Sequence, residues 1–544
     1  MDADGGGEHE GPMTYAQAQQ FFTSMEGPTA QERIDYIFAS LISLLPRPFV
    51  PAPEVAGDDS DSDSEHERFS LTSSDSSEAS GGVGADPAAA FHPAAVGDGE
   101  DHISHLPDAL LSNIISRLTT KEAARTAVLS TRWGGVWAAT PLLVDDAHFF
   151  GADRHSDIPI MRAVSRCVAA HPGPVRAVRV TRVSFHANEY PLQRLVADLA
   201  DKDVKDLILF NRPWPLNMPL PVDILRCASL ERLYLGVWHF PEITAARPSV
   251  FHELRELGLF HCVVRDKDLD TLLAHCPKLE IFSIVMSYGA PSRLRIVSPS
   301  LRVAVDWQST LREVSVEDAP CLERMIFHTI ETRRSIKIVS APRLQVLGFL
   351  NLNLHKLEIG GTAIRAGMNV GARAMVPSLK ILAVTLQFAC NQEAKMLPTL
   401  LKCFPHLEKL HVLAIPSKPP SSAHGLEFWE SLDSCECLRL RLNTLNVYGC
   451  LVQTNEIGFL QYMIREGKAL RAVGLCPSPN NKVAMDLVLA SFESKEASFV
   501  ESKRSSRGGS SADVILAEIN GSQIFQNAID MSIDDPFFSD NIPL

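Results

Sequence analysis

A chain of 544 residues is too long for one ordinary hydrophobic core and requires several domains or a repeat array. Its net charge of −14 sits at the amino-terminal end: 19 Asp and Glu against three Arg and no Lys put the first hundred residues at about −16, leaving the rest at about +2. A body that close to neutral offers no general basic face to nucleic acid, and eleven singly scattered cysteines point to a reduced intracellular compartment, nucleus or cytoplasm.

The opening MDADGGGEHE lacks the basic and apolar regions of a secretory signal. The longest strongly apolar stretch, Ile37 to Leu45, falls far short of the ~20 residues of a membrane span, so no membrane partner is expected. Within residues 1–52, Ile34, Ile37, Phe38, Leu41 and Leu44 share one face of a predicted helix that follows Gly27-Pro28. Such a face can dock a partner or fold back on the body, and both readings stay open. Residues 53–100 are mostly Asp, Ser, Gly, Ala and Pro, too poor in apolar side chains to offset the entropy of ordering. A disordered acidic linker is expected there, with Ser60, Ser62 and Ser64 as candidate sites for an acidophilic kinase.

Residues 101–145 hold three short helix signals. Pro107 sits at a first turn, and Leu106, Leu110, Leu111, Ile114, Ile115 and Leu118 recur at helical spacing. Thr119 with Glu122 is a capping-box signature for a second helix, striped by Ala124, Ala127 and Val128. A third begins near Ser130, sets Trp133 and Trp137 one turn apart, and is expected to fray at Gly134-Gly135. The run Leu106-Pro107-Asp108, Leu111, Ile114, Leu118, Lys121-Glu122-Ala123, Leu129-Ser130, Arg132-Trp133 and Trp137 resembles the plant F-box, over less than a tenth of the chain. That resemblance implies a Skp-type adaptor as partner, and through it cullin and RING subunits of a ubiquitin ligase. It places Leu106, Pro107, Ile114, Leu118, Val128, Leu129 and Trp133 at the adaptor interface or its supporting core.

Residues 146–434 carry an internal repeat. Leu230-x-x-Leu233-x-Leu235, Leu254-x-x-Leu257-x-Leu259, Leu279-x-x-Phe282-x-Ile284, Leu344-x-x-Leu347-x-Phe349, Leu379-x-x-Leu382-x-Val384 and Leu407-x-x-Leu410-x-Val412 are the clearest copies; with the units at Leu301 and Leu322 between them, successive units start roughly 21 to 35 residues apart. Each predicts a short strand whose apolar face is buried only by the next repeat, giving a leucine-rich-repeat solenoid. The unit at Leu301 reads as off by one, with Val303 and Val305 carrying its alternation, and His355 to Val376 reads as a Gly-rich insertion. Cys262 and Cys450 fall at the Asn/Cys position of the repeat and are expected to pack in its turn.

Residues 435–493, with Leu442-x-x-Leu445-x-Val447 followed by a helix signal at Glu456–Ile464, look like the FBD region of plant F-box proteins and read as the terminal cap of the solenoid. Residues 494–544 read as a flexible tail. The expected fold class is therefore α/β: a disordered acidic region, a three-helix F-box, and a solenoid with an FBD-like cap.

No phosphate loop, HExxH, GxSxG or dinucleotide fingerprint is present, and Cys435-x-Cys437 lacks a second ligand pair, so no cofactor, metal or catalytic residue is assigned. In leucine-rich repeats the residues between the inward leucines face the concave side. Here Arg232, Tyr234, Phe260, His328, Lys409, His411 and Tyr448 offer the aromatic and cationic mix suited to an unidentified protein substrate. The expected function is that of a non-catalytic, substrate-recruiting subunit of a Skp–cullin–F-box ligase. An interaction scaffold that does not promote ubiquitination is the alternative.

Overall fold

The computed structural model describes residues 28–47, 103, 105–149, 157–186, 188–212, 218–244, 251–328, 332–415, 426–431, 435–451, 453–477 and 521–537. The acidic linker with Ser60, Ser62 and Ser64, and residues 494–520 of the expected tail, lie outside them. The described residues belong to two bodies. One ends at Thr140; the other joins the first helix, α1 (Pro28–Ser43), to the chain from Pro141 onward.

The smaller body contains α2 (Asp108–Ile115), α3 (Thr120–Thr126) and α4 (Thr131–Ala139). Leu111, Ile115, Ala123 and Val136 form its core, with Leu106, Leu118, Trp133 and Trp137 packed against them. The capping box forms as its residues predict: Glu122 N–H donates to Thr119 Oγ1 and Thr119 N–H to Glu122 Oε2. Fraying at Gly134-Gly135 does not occur, because Ser130 caps α4 by accepting the Trp133 N–H and because Trp133, Val136 and Trp137 hold the helix to the core on both sides of the glycines. Those contacts outweigh the roughly 1 kcal/mol that each Gly costs a helix.

The larger body is built on a thirteen-stranded parallel sheet whose strands follow one another in chain order. Its strands begin with β1 (Leu142–Asp145), β2 (Val175–Val180), β3 (Asp206–Phe210), β4 (Arg232–Gly236), β5 (Glu256–Phe260) and β6 (Ile281–Val285). The return segments between β1 and β6 include α5 (Asp157–Ala170), α6 (Glu189–Asp201) and α7 (Asp266–Ala274). Pairing puts Leu207, Leu233, Leu257 and Phe282 in one inward column and Leu209, Leu235, Leu259 and Ile284 in the next, all essentially inaccessible. Each strand thus buries its leucine face against the neighbouring repeats and the return segments.

The corner after the strand is equally regular. Val237, His261 and Met286 have positive φ, and their N–H groups donate to the last strand carbonyl of the next repeat, at Phe260, Val285 and Trp307. The ladder therefore continues while the chain turns inward, and these bonds offset the cost of a left-handed non-Gly residue. Cys262 follows that corner and is buried, its thiol 3.4 Å from the Leu235 carbonyl.

From β7 (Arg293–Val297) onward the return segments change character. Strands of the main sheet, β8 (Val303–Trp307), β10 (Arg324–His328) and β12 (Val346–Asn351), alternate with β9 (Glu313–Asp318), β11 (Arg334–Ile338) and β13 (His355–Ile359). With β7 and the short β14 (Thr362–Ala363), these make a second, five-stranded sheet in the order β14-β13-β11-β9-β7. The Gly-rich insertion expected at His355–Val376 is thus partly the edge of that sheet. The unit at Leu301 is corrected too. Phe282 pairs with Ala304 and Ile284 with Asp306, so the repeat is in register, Ala304 and Asp306 point inward, and Val303 and Val305 lie on the opposite face. Asp306 is tolerated in a leucine column because Arg334 of the second sheet meets it at 2.7 Å, both side chains being buried.

The main sheet finishes with β15 (Ile381–Leu386), α8 (Asn391–Lys402), β16 (Lys409–Ala414), the short helices α9 (Leu426–Glu430) and α10 (Glu436–Leu440), β17 (Thr444–Cys450), α11 (Thr454–Glu466) and β18 (Ala472–Pro477). The FBD-like segment therefore adds two strands to the same sheet. A flexible tail does not describe residues 521–537. They form α12 (Gly521–Ile529) and an extension to Phe537, and they pack on the main sheet because Ile524, Phe525, Ala528 and Phe537 bury an apolar face there.

Candidate functional site

Two surfaces carry the expected site residues. In the three-helix body, Pro107, Ile114, Val128 and Leu129 are exposed, whereas Leu106, Leu118 and Trp133 are half-buried supports of the core. Val128 is 84% exposed and Leu129 65%, values that a large aliphatic side chain reaches at the cost of hydrating its whole surface. Leu110, half exposed on α2, adds to this set and was not among the expected positions. Arg132 braces the body by pairing with Asp108 at 2.7 Å and donating to the Leu106 carbonyl. The arrangement is a set of apolar groups on a small rigid frame, suited to docking.

The second surface is the face of the main sheet turned away from its leucine columns, here the open face. Strand register aligns its side chains into three columns. The first runs Arg232, Glu256, Ile281, Val303, Arg324, Val346, Ile381, Lys409; the second includes Ile208, Tyr234, Val305 and Ile326; the third includes Phe210, Phe260, Val285, Trp307 and His328. The seven residues expected to meet a substrate lie on this face, but not in the open. Tyr234, Phe260, His411 and Tyr448 are buried, and Arg232, His328 and Lys409 are half-buried.

What covers them is the chain itself. From α1, Phe38, Leu41 and Leu44 are buried in the same cluster as the open-face residues. Phe38 sets its ring 6.3 Å from that of Phe210, and Asp35 pairs with Arg212 at 2.9 Å. The side chain of Ile34 lies outside those described. From the C-terminal segment, Phe525 packs edge-on against Phe260 and Trp307, and Phe537 against Phe349. The two covers also meet each other: Gln526 Nε2 donates to the Leu44 carbonyl at 2.9 Å.

Polar groups fix the second cover in place. Arg324, buried in the first column, donates to the carbonyls of Asn527, Ala528, Asp530 and Ile533. A guanidinium with its planar set of donors satisfies the orphan carbonyls at the end of α12. Further along, Asp535 Oδ2 meets Lys409 Nζ at 3.1 Å and His411 Nε2 at 3.2 Å, while Tyr448 OH lies 2.9 Å from His411 Nδ1 and donates to the Phe537 carbonyl. Burial pushes the Asp535 carboxyl up, but His411 and Lys409 outweigh it and hold the group down at about 2. Nearer the other end of the sheet, Arg232, Tyr234, Glu256, Gln526, Asn527 and Asp530 line a cavity of about 610 Å³ between the covers and β4 to β6.

Burial pushes the thiols of Cys262, Cys276, Cys437 and Cys450 up to about 12, so they pack as thiols. Cys435 Sγ lies 3.2 Å from the Pro398 carbonyl. Among the described residues, no group of three His, Cys, Asp or Glu is placed to hold a metal ion.

Comparison with known proteins agrees with this division. Residues 103–143 match the F-box domain model, and residues 192–412 match the model for the repeats of "FBD-associated F-box protein At5g56370, LRR repeats". Similar proteins from Arabidopsis thaliana include F-box/FBD/LRR-repeat protein At1g13570, 22% identical over 72% of this chain and 95% of the relative. Putative F-box/FBD/LRR-repeat protein At5g44950 is 28% identical over 44% of this chain and 55% of its own length. F-box/LRR-repeat protein At5g02910 is 26% identical over 63% and 79%. The chain thus carries an F-box followed by FBD-associated leucine-rich repeats, and along its length it is similar to F-box/FBD/LRR-repeat proteins of Arabidopsis thaliana.

Proposed function

We propose that the protein is a substrate-recruiting subunit of a Skp–cullin–F-box ubiquitin ligase, acting in the nucleus or cytoplasm. The F-box binds the adaptor, the adaptor brings cullin and RING subunits, and the leucine-rich repeats hold the substrate. The observation that carries this reading is the exposure of Ile114, Val128 and Leu129 on a body with a complete core of its own. Apolar groups left outside a finished core have no structural task, and hiding them in an adaptor would recover about 25 cal/mol for each Å² buried.

The chain itself forms no bond with ubiquitin in this scheme. Its contribution is to raise the effective concentration of a substrate lysine near the charged E2.

Co-purification with a plant Skp-type adaptor tests the proposal. Wild type should bind, and chains carrying Leu129→Asp or lacking residues 101–145 should not. Because Leu129 is exposed, its replacement leaves the helices folded, and circular dichroism checks that. A folded wild type that ignores the adaptor would make the interaction scaffold the better reading.

A further inference from the structure

The open face binds a peptide segment, and the segment present is the chain's own. The cover formed by residues 521–537 belongs to no repeat, and it is separated from β18 by 43 residues of sequence. The leucine columns beneath it are buried by the return segments and by one another, on the other side of the sheet. Its contacts have the form of ligand recognition. Two aromatic anchors twelve positions apart, Phe525 and Phe537, pack against rings on the sheet. Between them, Arg324 takes the carbonyls at the end of a helix, and Lys409 with His411 takes a carboxylate.

A face that needed only to be kept dry would be apolar throughout. Buried or half-buried Arg324, Lys409 and His411 instead impose direction and register, because each is expensive to desolvate without its partner. The cavity of about 610 Å³ beside α12 shows that the occupant does not fill the face completely.

We propose that residues 521–537 are an exchangeable internal ligand of the open face, and that a partner segment of like chemistry takes their place: a short helix bearing one aromatic anchor, then a carboxylate just ahead of a second aromatic. This deepens the substrate-recognition half of the proposed function, and it is tested without an adaptor so that the two stand or fall separately.

The test keeps the whole chain. A protease site replaces residues 503–508, the folded protein is nicked there, and a fluorescent synthetic peptide of residues 519–544 is added in excess. Fluorescence anisotropy and size exclusion then follow exchange against the resident fragment. The wild-type peptide should displace it, while peptides carrying Phe525→Ala or Asp535→Lys should compete at least about tenfold less well. On a nicked Arg324→Met chain freed of its own fragment, the labelled wild-type peptide should bind at least about tenfold more weakly than on a wild-type chain freed in the same way. The proposal is overturned by a resident fragment that withstands a large excess of peptide, by peptide uptake that leaves the fragment in place, by equal competition from all three peptides, or by unfolding of the solenoid on nicking or when the fragment departs.

Discussion

Arg324 Nη1 lies 3.0 Å from the carbonyl oxygen of Asn527, a residue 203 positions further along the chain. The same guanidinium reaches the carbonyl of Ala528 in α12 and those of Asp530 and Ile533 just beyond it, so one side chain of the sheet caps the end of the helix and holds the turn that follows. Arg324→Met should leave those carbonyls unpaired and loosen the segment by about 1–3 kcal/mol. Hydrogen exchange at residues 524–528 should speed up accordingly, and unchanged protection would remove Arg324 from its capping role.

Seating of the C-terminal segment should depend on acidity. Asp535 ionises at about 2 in the folded chain against an ordinary value of 3.8. A carboxylate whose value is depressed by folding contributes stability that is complete above about pH 4 and lost as the pH falls toward 2, with an amplitude of about 2 kcal/mol. Exchange of residues 524–537 measured across that window should show the step in wild type and lose it in Asp535→Asn.

The buried pair between the two sheets makes a sharper demand. Arg334→Ala leaves Asp306 uncompensated inside the solenoid and should cost about 3–5 kcal/mol. Replacing both, Asp306→Leu with Arg334→Met, should recover most of that loss, because a leucine column accepts leucine. Urea denaturation of the three chains tests the order; a double variant no better than the single one would mean that the pair holds more than itself.

In the F-box, Gly135 has open space where a Cβ would stand, and it lies inside a helix. Gly135→Ala should therefore raise the stability of that body by about 0.5–1 kcal/mol. Thermal melting of the variant provides the measurement.

Much of the architecture is legible in the residues, and the exceptions are physical ones. The F-box helices follow from a capping box and a 3.6-residue stripe, both local. The repeat strands follow from L-x-x-L-x-L. The second sheet went unread although its signal is present: Arg293-Leu294-Arg295-Ile296, Ser335-Ile336-Lys337-Ile338 and Lys356-Leu357-Glu358-Ile359 alternate charged or polar with apolar residues at strand period.

The covered face was missed for a related reason. Val303 and Val305 looked like a slipped repeat, yet they are outward residues of a repeat in register. Apolar side chains at Ile281, Val303, Val305, Ile326, Val346 and Ile381, all between inward positions, announce a face that something covers. Which segment covers it depends on contacts such as Phe525 with Trp307, and no window of sequence contains both partners.

Joining Gln526 to the carbonyl of Leu44 has a further consequence for how the molecule is made. α1 leaves the ribosome early and α12 after every strand, so for most of synthesis the nascent solenoid presents a wide apolar sheet with half its cover missing. At the ordinary pace of about 5–20 residues per second that interval lasts tens of seconds, long enough for chaperone capture or clumping of neighbouring chains. A premature stop codon anywhere before Gly521 would make the interval permanent, and such a product would be recognised as waste although every repeat in it were intact.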